Sequence, residues 1–242
     1  MPAEGTQISE KSPLLPSQQE GLLLTTLTRA VIFANGVLNH PETALAALRP
    51  GDLIIAADGG ARLCRQLGLV PAILIGDFDS IDEADLAYFD ANGTQIIRHP
   101  ARKDYTDLEL ALRHVKSLGI QDVLVVAALG ARWDQTLANL LLPAAVDLGD
   151  LTIRLMDGPQ EVVLLRGGDE IDIHGKSGDT VSLIPVGGDA QGVVTDGLEY
   201  SLFNETLFFG ATRGLSNVLL VERATIHLEQ GLLLCVVIHK DG

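Results

Sequence analysis

From Arg29 to Asp157 the chain alternates between short unbroken apolar runs and longer stretches with helical spacing. The apolar runs are AVIFAN, LIIAA, AILIG, TQIIR, VLVVAAL and TIRLM. The helical pattern falls at 41–48, 61–67, 83–89, 108–118 and 137–148. Continuous apolar strands alternating with helices predict a parallel sheet covered on both faces. After Asp157 the texture changes. Segments such as EVVLLRG, DEIDIHG, DTVSLIPVGG, NVLLVERATIHLEQG and LLLCVVIHK are short, and Gly, Asp and Pro punctuate them. They predict an all-β sandwich. The expected organisation is a loose polar tail over 1–28, an α/β parallel-sheet domain over 29–157 and a β-sandwich domain over 158–242.

Composition narrows the partners. The net charge is −15, from 32 acids against 17 Lys and Arg. Such a chain repels nucleic acid and anionic membrane surfaces, so neither is an expected partner. A phosphate ligand then calls for a divalent cation between it and the protein. Two cysteines, Cys64 and Cys235, sit in apolar company and make no disulfide framework, which suits a reducing cytoplasm. The six His show no zinc-ligand spacing. The N-terminal segment lacks a basic region followed by a long apolar core, so it does not read as a signal peptide. The longest apolar runs are too short to span a bilayer.

In an open parallel sheet, ligands bind at the carboxyl ends of the strands, and four loops there carry acids. AILIG runs into DFDS, so Asp77 and Asp79 follow a buried strand. In an extended segment, positions i and i+2 point the same way. That geometry aims both carboxylates at a ligand and turns Phe78 inward. Ser80 and Glu83 fit a capping box for the next helix. LIIAADGGA places Asp58 before Gly59 and Gly60, which let the backbone turn closely into a helix start. RKDYTDLEL places Asp104 and Asp107 at another helix start, with Lys103 beside them as a phosphate contact or a solvated charge. GARWDQ brings Arg132, whose fork suits phosphate, next to Asp134, a candidate helix cap. Trp133 reads as a packing residue. Each loop alone is equally a turn or a helix cap. Six carboxylates at one sheet edge, by contrast, suit Mg²⁺ bound together with a polyphosphate. No Walker A loop and no G-x-G-x-x-G is present.

The blocks ADGGA, IGDFDSI, KDYTDLELAL and GARWDQTLANL resemble those of the thiamine pyrophosphokinases, also called thiamine diphosphokinases, in order and spacing. TDGLEYSL and GLSN resemble that family's thiamine-binding segment. The resemblance implies an N-terminal α/β domain and a C-terminal β-sandwich that serves thiamine binding and dimerisation. It implies a homodimer with thiamine at the subunit interface, and transfer of a pyrophosphoryl group from ATP to the thiamine hydroxyl with release of AMP. It also implies a requirement for Mg²⁺. Carried over by position, Asp77, Asp79 and Asp104 hold the metal and phosphates, with Asp107 nearby. Arg132 and Asp134 complete the phosphate site. Asn35, Asp58, Gly59, Gly60 and Lys103 border the nucleotide, and Tyr200, Ser216 and Asn217 contact thiamine. Asp104 or Asp77 is then the expected acceptor of the hydroxyl proton.

The sequence departs from the family pattern in one block. Many members carry G-G-R-x-D-H where this chain has Gly130-Ala131-Arg132-Trp133-Asp134-Gln135. Gln135 cannot titrate near neutral pH but still hydrogen-bonds. Ala131 argues against a left-handed backbone at its position. Two other readings stand beside this one. A D-x-D after a strand also occurs in transferases that use sugar nucleotides, and a non-catalytic thiamine-binding module could use the same acids as helix caps.

Overall fold

A computed structural model describes residues 28–102, 104–130 and 132–240. The predicted tail at 1–28, except Thr28, lies outside the described residues, as do Lys103 and Ala131. The six N-terminal apolar runs form β1 (Arg29–Phe33), β2 (Leu53–Ala57), β3 (Ile73–Gly76), β4 (Gln95–Arg98), β5 (Asp122–Val126) and β6 (Thr152–Asp157). They pair in parallel in the order β4-β3-β2-β1-β5-β6. The order reverses between β1 and β5, and the loops leaving those two strands diverge.

The helices are α1 (Pro41–Ala46), α2 (Gly60–Gln66), α3 (Glu83–Ala91), α4 (Asp107–Ser117) and α5 (Trp133–Leu141). Strand alternation supplies a face to each layer. Ala30, Ile32, Ile55 and Ile75 pack with Leu108, Leu112 and Val115 of α4. Val31, Phe33, Ala56 and Leu74 pack with Ala44, Cys64 and Phe89 of α1, α2 and α3. The last helix begins four residues earlier than its apolar spacing predicts and stops at Leu141 rather than 148. Pro143 lacks the N–H needed to continue it, and two short 3₁₀ turns follow.

The C-terminal half contains β7 (Gln160–Arg166), β8 (Glu170–His174), β9 (Thr180–Pro185), β10 (Ala190–Asp196), β11 (Glu205–Leu207), β12 (Asn217–Val218), β13 (Arg223–His227) and β14 (Leu232–Ile238). The run NVLLVERATIHLEQG is thus two strands. Gly158, at φ 56°, and Pro159 turn β6 straight into antiparallel β7, and the sheet continues as β7-β14-β9-β12. One ten-stranded sheet therefore crosses the predicted boundary at 157/158, and a second sheet, β11-β10-β13-β8, closes the sandwich. Along β14, Leu233, Cys235 and Val237 face the sandwich core, while Leu234 belongs to the core under α4. Both cysteines are free and buried. Among the described residues, no helix is long and apolar enough to cross a membrane.

Two buried acids anchor the fold. Arg29 at the start of β1 meets Asp52 through Nε (2.8 Å) and Nη2 (2.6 Å), and also donates to the carbonyl of Ala47 at 2.7 Å. Both side chains of the pair are 5% exposed. Burial alone would raise the Asp52 pKa, but hydrogen bonds from Arg29 and the Arg49 N–H leave it lowered. Asp179, 3% exposed, accepts from the N–H groups of Lys176 and Lys240 and pairs with His239 Nδ1 at 2.9 Å. Burial pushes this carboxyl up, and the three partners bring it down to about 2.

Removing one partner of a buried pair strands the other. Arg29→Leu should lower unfolding free energy by about 3–5 kcal/mol in urea titration, and adding Asp52→Leu should recover much of the loss. Asp179 has a folded pKa of about 2 against an unfolded value of about 3.9. Its stabilisation is complete above the unfolded value and is lost as pH falls through the folded one. Melting temperatures measured from pH 5 down to about pH 2 should fall more steeply for the wild type than for Asp179→Asn.

Candidate active site

The carboxyl edge of the parallel sheet brings three carboxylates together. Asp58, Asp77 and Asp79 each offer an oxygen within 4.8 Å of the others. Asp58 leaves β2 in the left-handed region at φ 45° and is 6% exposed. Its N–H still donates to the carbonyl of Ile75 on β3, which fixes the backbone against the neighbouring strand end. Gly76 ends β3 beside it, and a Cβ there would lie 3.1 Å from both Cα and Cβ of Asp58.

The DFD loop converges by a route other than the extended one expected. Phe78 has φ 65°, so the segment turns, and the N–H of Asp79 donates to Oδ1 of Asp77 at 3.2 Å. The inward direction of Phe78 is as expected: it is 5% exposed and packs with Val31, Leu74 and Phe89. Arg98, the last residue of β4, holds the loop from the side. Its Nη1 donates to the carbonyl of Asp77 at 2.8 Å, and its guanidinium carbon lies 4.8 Å from the Phe78 ring centroid. The sequence reading missed Arg98, although a basic residue at the carboxyl end of the run TQIIR was a usable signal; its pairing with Gly76 is seen only in the structure.

Ser80 also has a different role from the predicted one. Asp82 caps α3, accepting from the N–H of Asp85 at 2.7 Å. Ser80 instead donates its hydroxyl to Oδ2 of Asp58 at 2.6 Å. Asn35, just beyond β1, donates to the same oxygen at 3.3 Å. Oδ1 of Asp58 is buried and has no hydrogen-bond partner. The Asp77 carboxylate foremost raises the pKa of Asp79, with smaller contributions from the charges of Asp58 and Asp107. A buried acceptor without a donor, among carboxylates that repel, is the environment a hard cation satisfies. The donor set therefore fits Mg²⁺.

A cavity of about 330 Å³ opens beside Asp58 at the point where the strand order reverses. Asn35 and Gly36 after β1, Ala128 and Gly130 after β5, and Asp107 of α4 line it, as do Arg132, Gln135 and Asn139. Thr106, not Asp107, caps α4, accepting from the N–H of Glu109. Asp104 is exposed on the preceding loop and does not join the three-carboxylate cluster. Asp134 does not cap α5. It receives a two-point ion pair from Arg132, Nε to Oδ1 at 3.1 Å and Nη2 to Oδ2 at 2.5 Å, on the exposed rim. That bond lowers the Asp134 pKa. The two glycines serve close packing: a Cβ on Gly59 would meet Asn35 Oδ1 at 2.1 Å, and one on Gly60 the Phe33 carbonyl at 2.0 Å.

The C-terminal candidates lie in the sandwich. Tyr200 is 65% exposed. Asn217 is 8% exposed, and its amide clamps the backbone of Tyr200, accepting from its N–H at 3.0 Å and donating to its carbonyl at 2.8 Å. Ser216 has φ 58°, and its N–H donates to Ser182 Oγ. Trp133, expected to pack within the chain, is 89% exposed because it sits at the solvent-facing start of α5.

A doubly wound sheet with acids at its switch point, continued into a β-sandwich, defines a class of two-part α/β proteins that bind ligands at the sheet's carboxyl edge. Comparison with known proteins is more specific. Residues 46–153 match the thiamin pyrophosphokinase catalytic domain, and residues 170–233 match the thiamin pyrophosphokinase vitamin B1 binding domain. The thiamine pyrophosphokinase of Bacillus subtilis is 29% identical across 76% of this chain and 86% of its own. Thiamine pyrophosphokinase 1 of Arabidopsis thaliana is 29% identical, across 100% of this chain and 97% of its own. The crystal structure of the Bacillus subtilis enzyme superposes with a TM-score of 0.78 at 26% identity, over 88% of this chain and 99% of that one. The chain belongs to the thiamin pyrophosphokinase family and is an enzyme of that type.

The turn at Phe78 depends on its burial. Phe78→Ala should lower unfolding free energy by about 3 kcal/mol or more, read from the urea midpoint. Activity should fall with it, because the loop that brings Asp77 and Asp79 together loses its anchor.

Proposed function

We propose that this enzyme is a thiamine diphosphokinase that moves the pyrophosphoryl group of ATP onto the hydroxyl of thiamine, giving thiamine diphosphate and AMP. The observation that carries the proposal is the Asp58–Asp77–Asp79 cluster, with its partnerless buried oxygen, set against the switch-point cavity. The hydroxyl oxygen forms a bond to the β-phosphorus and gives up its proton to a carboxylate at the sheet edge and on to water, the bond from that phosphorus to the α–β bridging oxygen breaks, and AMP carries that oxygen away. Transfer of this kind depends mainly on positioning and charge neutralisation.

Asp58, Asp77 and Asp79 would hold Mg²⁺, with Asp107 on the cavity wall, and Asp104 would join them only as the family resemblance implies. Bound there, Mg²⁺ neutralises phosphate charge. Asn35, Gly36 and Ala128 shape the nucleotide cavity, and Arg132 can exchange its exposed partner Asp134 for a phosphate.

The thiamine side of the site is expected from a second subunit in a homodimer. Tyr200, Phe203, Phe208 and Phe209 are each more than 60% exposed, and so much aromatic surface suits an interface with the Tyr200 face toward thiamine. Two buried free cysteines agree with a cytoplasmic location.

The test is AMP release from ATP and Mg²⁺ with and without thiamine. Thiamine-dependent AMP with matching thiamine diphosphate is the expected result, and a binding module would yield neither. Asp77→Asn and Asp79→Asn should each cut turnover by about a hundredfold or more. A loss below about threefold in both would remove the metal-site reading.

A further inference from the structure

Asp58 is the acid whose two oxygens are treated differently. Oδ2 accepts from Ser80 Oγ at 2.6 Å and from Asn35 Nδ2 at 3.3 Å, while the buried Oδ1 accepts from nothing. The Asn35 amide has a fixed sense. Arg62 on α2 donates from Nη2 to its Oδ1 at 3.3 Å, so the amide nitrogen is the end that faces Asp58. Gly59 leaves the space the amide fills, since a Cβ there would overlap it. The Asn35 backbone is pinned on either side, with the N–H of Ala34 donating to Val126 and that of Gly36 to Ala127.

A carboxylate on one torsion can rotate and exchange its oxygens. Two donors on one oxygen, one of them a short O–H···O⁻ bond, remove that freedom. We infer that Ser80, Asn35 and Arg62 are positioning residues that lock the Asp58 carboxylate and present its Oδ1 to a divalent cation. The inference rests on the proposed metal reading of the three-carboxylate cluster. It adds Ser80 and Arg62, which belong neither to the carboxylate cluster nor to the cavity lining and act through Asp58. Partners behind a metal ligand commonly carry tenfold to hundredfold in metal affinity.

The test measures Mn²⁺ binding to the full-length protein by the loss of free-ion electron paramagnetic resonance signal, without nucleotide or thiamine. Thermal melts by circular dichroism run alongside. Wild type should bind, and Asp77→Asn should not. Ser80→Ala should bind about tenfold more weakly with its melting temperature little changed, and Ser80→Thr, which keeps the hydroxyl, should bind within about threefold of wild type. Arg62→Gln should weaken binding less than Ser80→Ala does. If Ser80→Ala fails to fold, Asn35→Ala replaces it, because it removes the other donor from the same oxygen.

Wild-type affinity in Ser80→Ala, or in its replacement, alongside lost binding in Asp77→Asn overturns the positioning role and leaves the metal site standing. Failure of Ser80→Thr to restore binding also overturns it. No binding by wild type, or full binding by Asp77→Asn, overturns the metal reading and this inference with it.

Discussion

Mutual repulsion among Asp58, Asp77 and Asp79 is the constraint around which the sheet's carboxyl edge is built. Three carboxylates that each offer an oxygen within 4.8 Å of the others repel, most of all at the buried Asp58, and the backbone around them has to hold that arrangement. The chain supplies that compulsion as local strain. Asp58, Phe78 and Ala127 leave β2, the β3 loop and β5 in the left-handed region, although none is glycine. Such conformations persist only where surroundings over-determine them. Here those surroundings are the bond from Asp58 N–H to Ile75, the burial of Phe78 and the packing of Ala127 against the α1–α3 layer. Strain and electrostatic cost coincide at one edge, and the apolar strands behind that edge hold both in place.

The second consequence concerns how the two halves communicate. A boundary at Gly158–Pro159 suggests two independent units, but the ladder from β6 to β7 runs through it. The last strand, β14, lies between β7 and β9, and its side chains feed both the sandwich core and the core beneath α4. Asp179 ties the residues just after β14, His239 and Lys240, to the turn before β9. Its carbonyl also accepts from Leu219, beside the Asn217 clamp on Tyr200. The thiamine-side candidates are thus held by the same strands that extend the catalytic sheet.

Much of this was legible in the sequence because buried parallel strands leave a plain signature. ILIG and LIIAA could be little else, and the acids after them fell at the sheet's active edge. What was not legible depended on which of two local rules would win. Ser80 satisfies a capping pattern, but Asp82 stands closer to the helix start and takes the cap, which releases the Ser80 hydroxyl for Asp58. Asp79 reads as the i+2 partner on an extended strand, but a left-handed Phe78 produces the convergence instead. The family resemblance sets Asp104 beside Asp77 and Asp79, whereas the structure groups Asp58 with them, because β2 lies beside β3 and delivers its end residue directly to the DFD loop. Strand adjacency is a tertiary fact that loop-by-loop reading does not contain.

The site also separates its rigid parts from its exchangeable ones by burial. At the floor, Asp58 is enclosed, and a partner lost there leaves a charge that water cannot reach. At the rim, Arg132 and Asp134 pair in the open, where an ion pair contributes little net stability and is screened by salt. A polyphosphate entering the cavity would therefore meet a guanidinium whose present partner is easily given up, beside a buried carboxylate, Asp58, that is held in place. On the proposed reading, this division would let a chain of net charge −15 accept an anion. The buried acid at the floor, Asp58, is held on every side, and the guanidinium at the rim is only loosely held.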